Sequence, residues 1–142
     1  MKLCAIAFFL SGVLISAPAF ADSPKPVEKK MPAPVVFFDI AGPDGAKQKT
    51  FYADVFGWST DAMGNIDGAG LHGALRQDPA AKVIYLGVPD VTAALKQVEA
   101  SGGKTVMPRF EVKGVVVIGL FTDPAGNSMG LVEMKDGRPV IP

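Results

Sequence analysis

The chain has 142 residues, of which 49% are hydrophobic, and it carries 14 basic and 14 acidic side chains. This length suits one domain with a buried core, and the composition excludes a disordered protein. The charges balance, and no basic run is longer than Lys29-Lys30, which argues against nucleic acids and anionic membranes as partners.

The N-terminal segment, Met1 to Ala21, has the three parts of a cleavable signal peptide. Lys2 gives the positive start, Leu3 to Ile15 are apolar, and Ala19-Phe20-Ala21 supplies the small residues that a signal peptidase requires. An uncleaved membrane anchor is disfavoured, because a spanning helix needs about 20 apolar residues. The sequence therefore predicts a periplasmic or secreted protein that has no membrane contact after cleavage.

Cleavage would remove Cys4, the only cysteine. The mature chain would then have no disulfide, no thiolate nucleophile and no cysteine–zinc site. Residues 22–34 contain four prolines and several charged side chains, which predicts a disordered spacer. The folded domain is predicted over residues 35–135, and residues 136–142 are predicted to be a C-terminal tail.

The domain opens with a strand, Val35–Ile40, which is rich in β-branched and aromatic residues. Asp44 can cap the helix that follows, and Gly57 suits its end. The apolar face of this helix consists of Phe51, Tyr52, Val55 and Phe56. Short strands are predicted around Trp58 and over Leu71–Arg76.

The second half of the domain repeats this order. A strand over Val83–Val88 precedes Asp90, which caps a second helix that ends at Gly102-Gly103. Three strands follow, at Lys104–Phe110, Val115–Thr122 and Ser128–Met134. The first strands and the helix caps of the two halves are each 46 residues apart, from 37 to 83 and from 44 to 90. Two such units predict a duplicated α+β fold.

Five short motifs occur in a fixed order: Phe51-Tyr52, Phe56-Gly57-Trp58, Val88-Pro89-Asp90-Val91, Gly102-Gly103-Lys104 and Asp123-Pro124-Ala125-Gly126-Asn127. Together they resemble the vicinal oxygen chelate superfamily, which includes glyoxalase I, bleomycin-resistance proteins and extradiol dioxygenases. The resemblance implies two βαβββ modules over residues 35–135. Their curved mixed sheet would enclose a cleft, with the helices on its outer face. The resemblance also implies a homodimer.

Metal enzymes of this superfamily place their ligands on the first and last strands of each module. The matching positions here are Phe37, Val83 and Gly130, with His72 as the candidate for the fourth position. Phenylalanine, valine and glycine have no side-chain donor, and a catalytic divalent site needs about three protein ligands. The sequence thus predicts no metal and no cofactor, and it disfavours glyoxalase I and dioxygenase activity by the metal route.

Strand alternation predicts which side chains line the cleft. If Phe37 faces the cleft and Leu71 and Leu75 belong to the core, the lining is Val35, Phe37, Asp39, His72, Ala74, Arg76, Val83, Tyr85, Gly87, Gly130 and Val132. The candidate ligand-binding residues are Phe37, Asp39, Trp58, His72, Arg76, Tyr85 and Arg109.

His72 is the only histidine and the candidate catalytic acid or base, because histidine titrates near neutral pH. The alternative is a hydrogen-bonded surface histidine. Asp39 and Arg76 are expected to form a structural ion pair across the sheet. Trp58 has two possible roles, stacking on a flat ligand or anchoring the first helix.

Three functions remain open. The first is a metal-free binding protein that holds a small, partly aromatic or apolar molecule in the cleft. The second is a metal-independent lyase or isomerase that uses His72, with Asp39 or Tyr85, for proton transfer. The third is a protein-interaction module that docks a partner through its sheet or its tail at Asp136 to Pro142.

Overall fold

The computed structural model describes residues 31–142. The predicted signal peptide and the spacer up to residue 30 lie outside the described residues. Residues 31–34 are exposed and form neither helix nor strand, and the Pro34 carbonyl accepts a hydrogen bond from the Gly87 amide at 2.8 Å. In this part of the chain no helix is long and apolar enough to cross a membrane.

Two βαβββ modules follow one another along the chain, as predicted. The first consists of β1 (Val35–Gly42), α1 (Gly45–Phe56), β2 (Ser59–Thr60), β3 (Asn65–Asp67) and β4 (Gly73–Gln77). The second consists of β5 (Ala81–Val88), α2 (Val91–Ala100), β6 (Lys104–Val112), β7 (Val116–Thr122) and β8 (Ser128–Lys135). A short strand that the sequence analysis did not predict, β9 (Arg138–Pro139), comes last.

All the strands belong to one open mixed sheet, in the order β2-β3-β4-β1-β5-β8-β7-β6, and β9 pairs with β8 outside this order. The two modules meet where β1 and β5 pair antiparallel, with Phe38 opposite Ile84. Within each module the first and last strands run parallel, as β1 with β4 and β5 with β8. The predicted α+β fold of two βαβββ modules is confirmed.

Both helices begin at the predicted aspartates. Asp44 Oδ1 accepts a hydrogen bond from the Lys47 amide at 2.9 Å, and Asp90 Oδ1 accepts one from the Ala93 amide at 2.8 Å. These bonds satisfy amides that have no partner inside the first helical turn. At the end of α1, Gly57 adopts a φ of 69°, which glycine tolerates because it has no Cβ.

The second module has the larger core. Val91 and Leu95 of α2 are buried against strand residues that include Val88, Phe121 and Leu131. Gly119 lets the helix come close, since a Cβ there would lie 2.7 Å from Val91 Cγ1. The strands beneath α2 are seven to nine residues long and cover its apolar side.

The first module covers its helix less completely. Its β2, β3 and β4 have two, three and five residues, so they offer α1 little surface. Phe51, Val55 and Phe56 of α1 remain 53%, 58% and 58% exposed. Leu75 is buried as predicted, but the prediction that Leu71 belongs to the core is wrong. Leu71 lies before β4 begins and is 38% exposed.

The C-terminal residues bind back onto the second module. The Val140 amide donates to the Glu133 carbonyl, and the Gly114 amide in the β6–β7 turn donates to the Pro142 carbonyl. The β6 strand forms one edge of the sheet, and its pairing with β7 shifts register twice between Thr105 and Phe110, around Pro108.

Candidate functional site

The sheet has one face that carries the helices and one that does not. A Cβ at Gly119 would meet Val91 and Leu95 of α2, which places Gly119 on the helix-bearing side. A Cβ at Gly130 would instead overlap the ring of Tyr85, on the opposite side. We call this opposite side the helix-free face, and it is the side that the sequence analysis assigned to the cleft.

The strand pairings identify the members of the helix-free face. Tyr85 is paired with Phe37 and with Gly130, and Asp39 is paired with Ala74. Residues that are paired across strands share a face, and residues alternate along each strand. The face therefore includes, from β4 to β6, Ala74, Arg76, Phe37, Asp39, Val83, Tyr85, Gly130, Val132, Ile118, Leu120 and Phe110.

An aromatic pair forms the centre of this face. The Phe37 and Tyr85 rings meet edge to face, with centroids 5.7 Å apart and planes at 75°. Tyr85 is 8% exposed, and its ring lies directly over the backbone of Gly130. Gly130 thus leaves room that the Tyr85 ring fills.

The side chains at the superfamily's metal positions do not suit a metal site. Phe37, Val83 and Gly130 have no donor atoms, and the Tyr85 ring occupies the space in front of Gly130. Over residues 31–142 no three side chains of His, Asp or Glu are grouped in a way that could hold a metal ion. The groups that this face offers for chemistry are its aromatic and charged side chains.

Asp39 and Arg76 supply the charges of the helix-free face. Arg76 Nε lies 2.5 Å from Asp39 Oδ2, and the two side chains are 52% and 12% exposed. Burial raises the pKa of Asp39; Arg76 opposes this rise and Asp78 adds to it. Asp39 Oδ1 is buried and has no hydrogen-bond partner among the described residues. The ion pair with Arg76 therefore engages only one of the two carboxylate oxygens and leaves the other buried without a hydrogen bond.

Tyr85 is the neutral polar group of this face. Burial raises the pKa of its hydroxyl, and the negative charge of Asp39 raises it further while Arg76 lowers it. Tyr85 therefore keeps its proton at neutral pH and can act as a hydrogen-bond donor.

Two of the predicted ligand-binding residues lie on the helix-bearing side. Trp58 stacks on Tyr52 of α1, with ring centroids 5.0 Å apart and planes at 7°, and also packs against Phe38. Arg109 binds the Glu133 carboxylate through Nε and Nη2, both at 2.9 Å. A depression of about 400 Å³ between α2 and β6 is lined in part by Arg109.

Arg109 and Trp58 serve the helices in this arrangement. Glu133 Oε2 also accepts the Val91 amide at 3.3 Å, so Arg109 holds the carboxylate that satisfies the start of α2. Arg109 and Glu133 reinforce each other, because the ion pair raises the pKa of Arg109 and lowers that of Glu133. Trp58 anchors the end of α1 through its ring contacts.

His72 lies just before β4, beside the first strand. Its carbonyl accepts a hydrogen bond from the Phe38 amide at 3.1 Å, and the residue is exposed. Its side chain has no ion pair or hydrogen bond among the described residues. The structure thus brings Phe37, Asp39, Arg76 and Tyr85 together, with His72 at the margin.

The sequence analysis included Gly130 and Val132 of β8 in the lining but missed the contributions of β6 and β7. Phe110 is paired with Ile118, and Ile118 with Val132, which places Phe110 on the helix-free face although it is 54% exposed. Leu120 lies on the same face, opposite Gly130. Alternation along β7 would have identified Ile118 and Leu120, but the register shifts in β6 hide the orientation of Phe110.

Comparison with known proteins gives distant relatives. No protein-family model matches the chain. The anthracycline biosynthesis protein DnrV of Streptomyces peucetius is 27% identical over 124 residues, which cover 67% of this chain and 45% of DnrV. The putative glyoxylase CFP32 of Mycobacterium bovis is 27% identical over 111 residues, which cover 66% of this chain and 42% of CFP32. The chain therefore spans less than half the length of these relatives.

Solved structures share the fold. A variant methylmalonyl-CoA epimerase of Streptomyces coelicolor, in complex with 2-nitronate-propionyl-CoA, superposes with a TM-score of 0.55. The superposition covers 76% of this chain and 99% of the epimerase chain, at 15% identity. At this identity the likeness concerns the fold alone.

Proposed function

We propose that this chain, a member of the vicinal oxygen chelate superfamily, is an exported, metal-free protein that binds a small molecule on its helix-free face. The observation that carries the proposal is the Tyr85 ring over Gly130, at a position where metal enzymes of the superfamily have a ligand. An aromatic and apolar surface with few polar groups is typical of small-molecule sites.

The names of two relatives favour a small organic ligand. DnrV is named for anthracycline biosynthesis, and the epimerase structure holds a CoA derivative. On the helix-free face Phe37, Tyr85 and the exposed ring of Phe110 offer surfaces on which a flat molecule can pack.

Two phenylalanines provide a matched test of where an apolar ligand binds. Phe110 on the helix-free face and Phe56 on α1 are 54% and 58% exposed. We expect Phe110→Ser to weaken binding of the neutral dye Nile red and Phe56→Ser to leave it unchanged, measured by fluorescence titration. Loss of binding only in Phe56→Ser would refute the proposed site and favour a docking surface on α1.

Metal content and export are tested on the protein recovered from a periplasmic fraction. Metal analysis should find no stoichiometric transition metal, and native mass spectrometry should find a chain that begins at Asp22. A bound metal would refute the metal-free proposal. An intact N-terminus in the cytoplasmic fraction alone would refute export. The same spectra report the proposed homodimer by its mass.

A second candidate function is acid–base chemistry without a metal. The raised pKa of Asp39 beside Tyr85 favours it, because a partly buried carboxylate is a stronger base than an exposed one. This observation makes Asp39 a better candidate than His72. Exchange of the α-protons of propionyl-CoA in deuterium oxide, followed by NMR, tests the idea. Catalysed exchange that Asp39→Asn abolishes and His72→Ala spares would establish it; exchange at the uncatalysed rate would refute it.

A further inference from the structure

We propose that two copies of this chain associate through the helix-bearing side of the sheet, about a twofold axis that places each α1 over β5 of the other copy and Asp54 opposite Lys82. The inference rests on the proposed homodimer, which it deepens by naming the surface that joins the copies. It follows from three features of this side: a central strand that α1 and α2 leave uncovered, a continuous apolar strip beside it, and opposite charges at the ends of that strip.

The central strand β5 is not covered by either described helix. α1 packs mainly on β1, β2 and β4, and α2 packs mainly on β6, β7 and β8. Ile84 of β5 is paired with Phe38 and is next to Tyr85 in sequence, so alternation places it on the helix-bearing side. It remains 46% exposed although β5 lies in the middle of the sheet. The helix-bearing side therefore has a depression over β5, between two raised helices.

The exposed apolar side chains of α1 lie on its flank nearer to β5. Gln48 Nε2 donates a hydrogen bond to a carbonyl of β1 at 3.5 Å, whereas Lys49 lines a depression of about 530 Å³ together with residues of β4. Phe51 and Val55 follow Gln48 by three and seven residues, so they share its side of the helix. Because β1 lies between β4 and β5 in the sheet, this side of α1 overlooks β5.

The apolar side chains of α1 and β5 form one continuous surface. The Phe56 ring centroid lies 6.1 Å from that of Phe51 and 6.0 Å from that of Trp58. The Trp58 centroid in turn lies 5.9 Å from that of Phe38, which is paired with Ile84 on the next strand. We call this surface the apolar strip, and its members are Phe51, Val55, Phe56, Trp58, Phe38 and Ile84.

The apolar strip has the size expected of a weak dimer interface. Four of its members are between 46% and 58% exposed. At about half of the area that a large side chain can bury, they offer roughly 100 Å² each and roughly 400 Å² together. A stable dimer buries about 800 Å² on each subunit, so even with its polar surroundings the strip favours a Kd of about 1–100 µM. At lower concentrations the chain is a monomer, and its unfolding reports the isolated domain.

The charges at the ends of the apolar strip are complementary between two copies. Asp54 precedes Val55 on α1, and Lys82 lies two residues before Ile84 on the same side of β5. Both side chains are exposed, and neither has an ion pair within residues 31–142. A twofold axis through the strip places Asp54 of each copy opposite Lys82 of the partner subunit, which gives two equivalent ion pairs.

Charge exchange tests the proposed surface, with the dimer followed by sedimentation velocity of the mature protein from about 1 to 200 µM. Asp54→Lys and Lys82→Asp each place like charges together, so each should weaken the dimer by at least about tenfold. The double variant exchanges the two charges and should recover most of the affinity. Phe51→Ser should also weaken the dimer by about tenfold. Glu99→Lys reverses an exposed charge of α2 that faces β6, and this control should leave the dimer unchanged.

The outcomes separate this inference from the rest of the proposed function. A dimer that no substitution on the apolar strip or its ends weakens would overturn the proposed surface and leave the homodimer standing. Loss in both single variants without recovery in the double variant would overturn the pairing of Asp54 with Lys82. A monomer at every concentration would overturn both the surface and the homodimer. Nile red binding on the helix-free face is measured separately, so the ligand proposal is judged on its own.

Discussion

The close fit of Tyr85 over Gly130 can be tested by adding one methyl group. In Gly130→Ala the new Cβ would lie 2.8 Å from Tyr85 Cγ and closer still to Cδ1. Carbon atoms in contact are about 3.5 Å apart or more, so the ring must retreat by more than about 0.7 Å. Gly130 does not have a positive φ, so alanine brings no backbone strain of its own.

Overpacking of this kind typically costs about 1–3 kcal/mol, and we expect Gly130→Ala to lower the free energy of unfolding by this amount. Urea denaturation monitored by Trp58 fluorescence measures the loss. The cost should nearly vanish when Tyr85→Ala is already present, because the space next to residue 130 is then open. The double-mutant cycle should thus give a coupling of about 1–3 kcal/mol.

Additive effects of the two substitutions would refute the packing argument. They would mean that Tyr85 does not occupy the space in front of Gly130. The structural case against a metal at this position would then be lost, although Phe37 and Val83 would still lack donor atoms.

Three further predictions concern charge and burial. Burial raises the pKa of Asp39, so ionising this carboxyl destabilises the folded state. In urea titrations between pH 4 and 7, the free energy of unfolding of the wild type should therefore fall relative to that of Asp39→Asn as the pH rises. Equal pH dependence of the two proteins' unfolding free energies would contradict this. Because Arg109 lowers the pKa of Glu133, Glu133→Gln should be destabilising at pH 7 and less so at acidic pH, by the same measurement. In thermal unfolding, Leu95→Ala should lower the free energy of unfolding by about 2–5 kcal/mol and Phe56→Ser by less than about 1 kcal/mol. The difference is expected because Leu95 is 5% exposed and Phe56 is 58% exposed.

Much of the fold could be predicted because local signals agreed with one another. Asp44 and Asp90 each cap one helix, and the offset of 46 residues between the first strands and between the caps indicates the duplication. The short β2 and β3 carry weaker signals, since two or three residues cannot show alternation. The exposure of α1 depends on how much sheet lies beneath it, and no local pattern encodes that.

The residues of the candidate site were predictable only where side chains alternate regularly between the two faces of the sheet. Phe37, Asp39 and Tyr85 follow from parity on β1 and β5, which pair without a shift between Phe37 and Ala41. Arg109 and Trp58 were assigned from their neighbours in sequence, and tertiary contacts turn both towards the helices. The raised pKa of Asp39 depends on burial, which emerges only when β4 packs beside β1.

The two ends of the sheet bear on how the protein behaves at high concentration. An unpaired strand edge is a template on which another chain can add, and β6 carries the exposed apolar residues Val106 and Phe110. Pro108 removes one amide donor from this edge, and the register shifts around it break the regular row of backbone groups. At the opposite end β2 has two residues only. Both edges are therefore poor starting points for intermolecular β-sheet growth, and the export proposed above would make this an advantage while the chain folds after crossing a membrane.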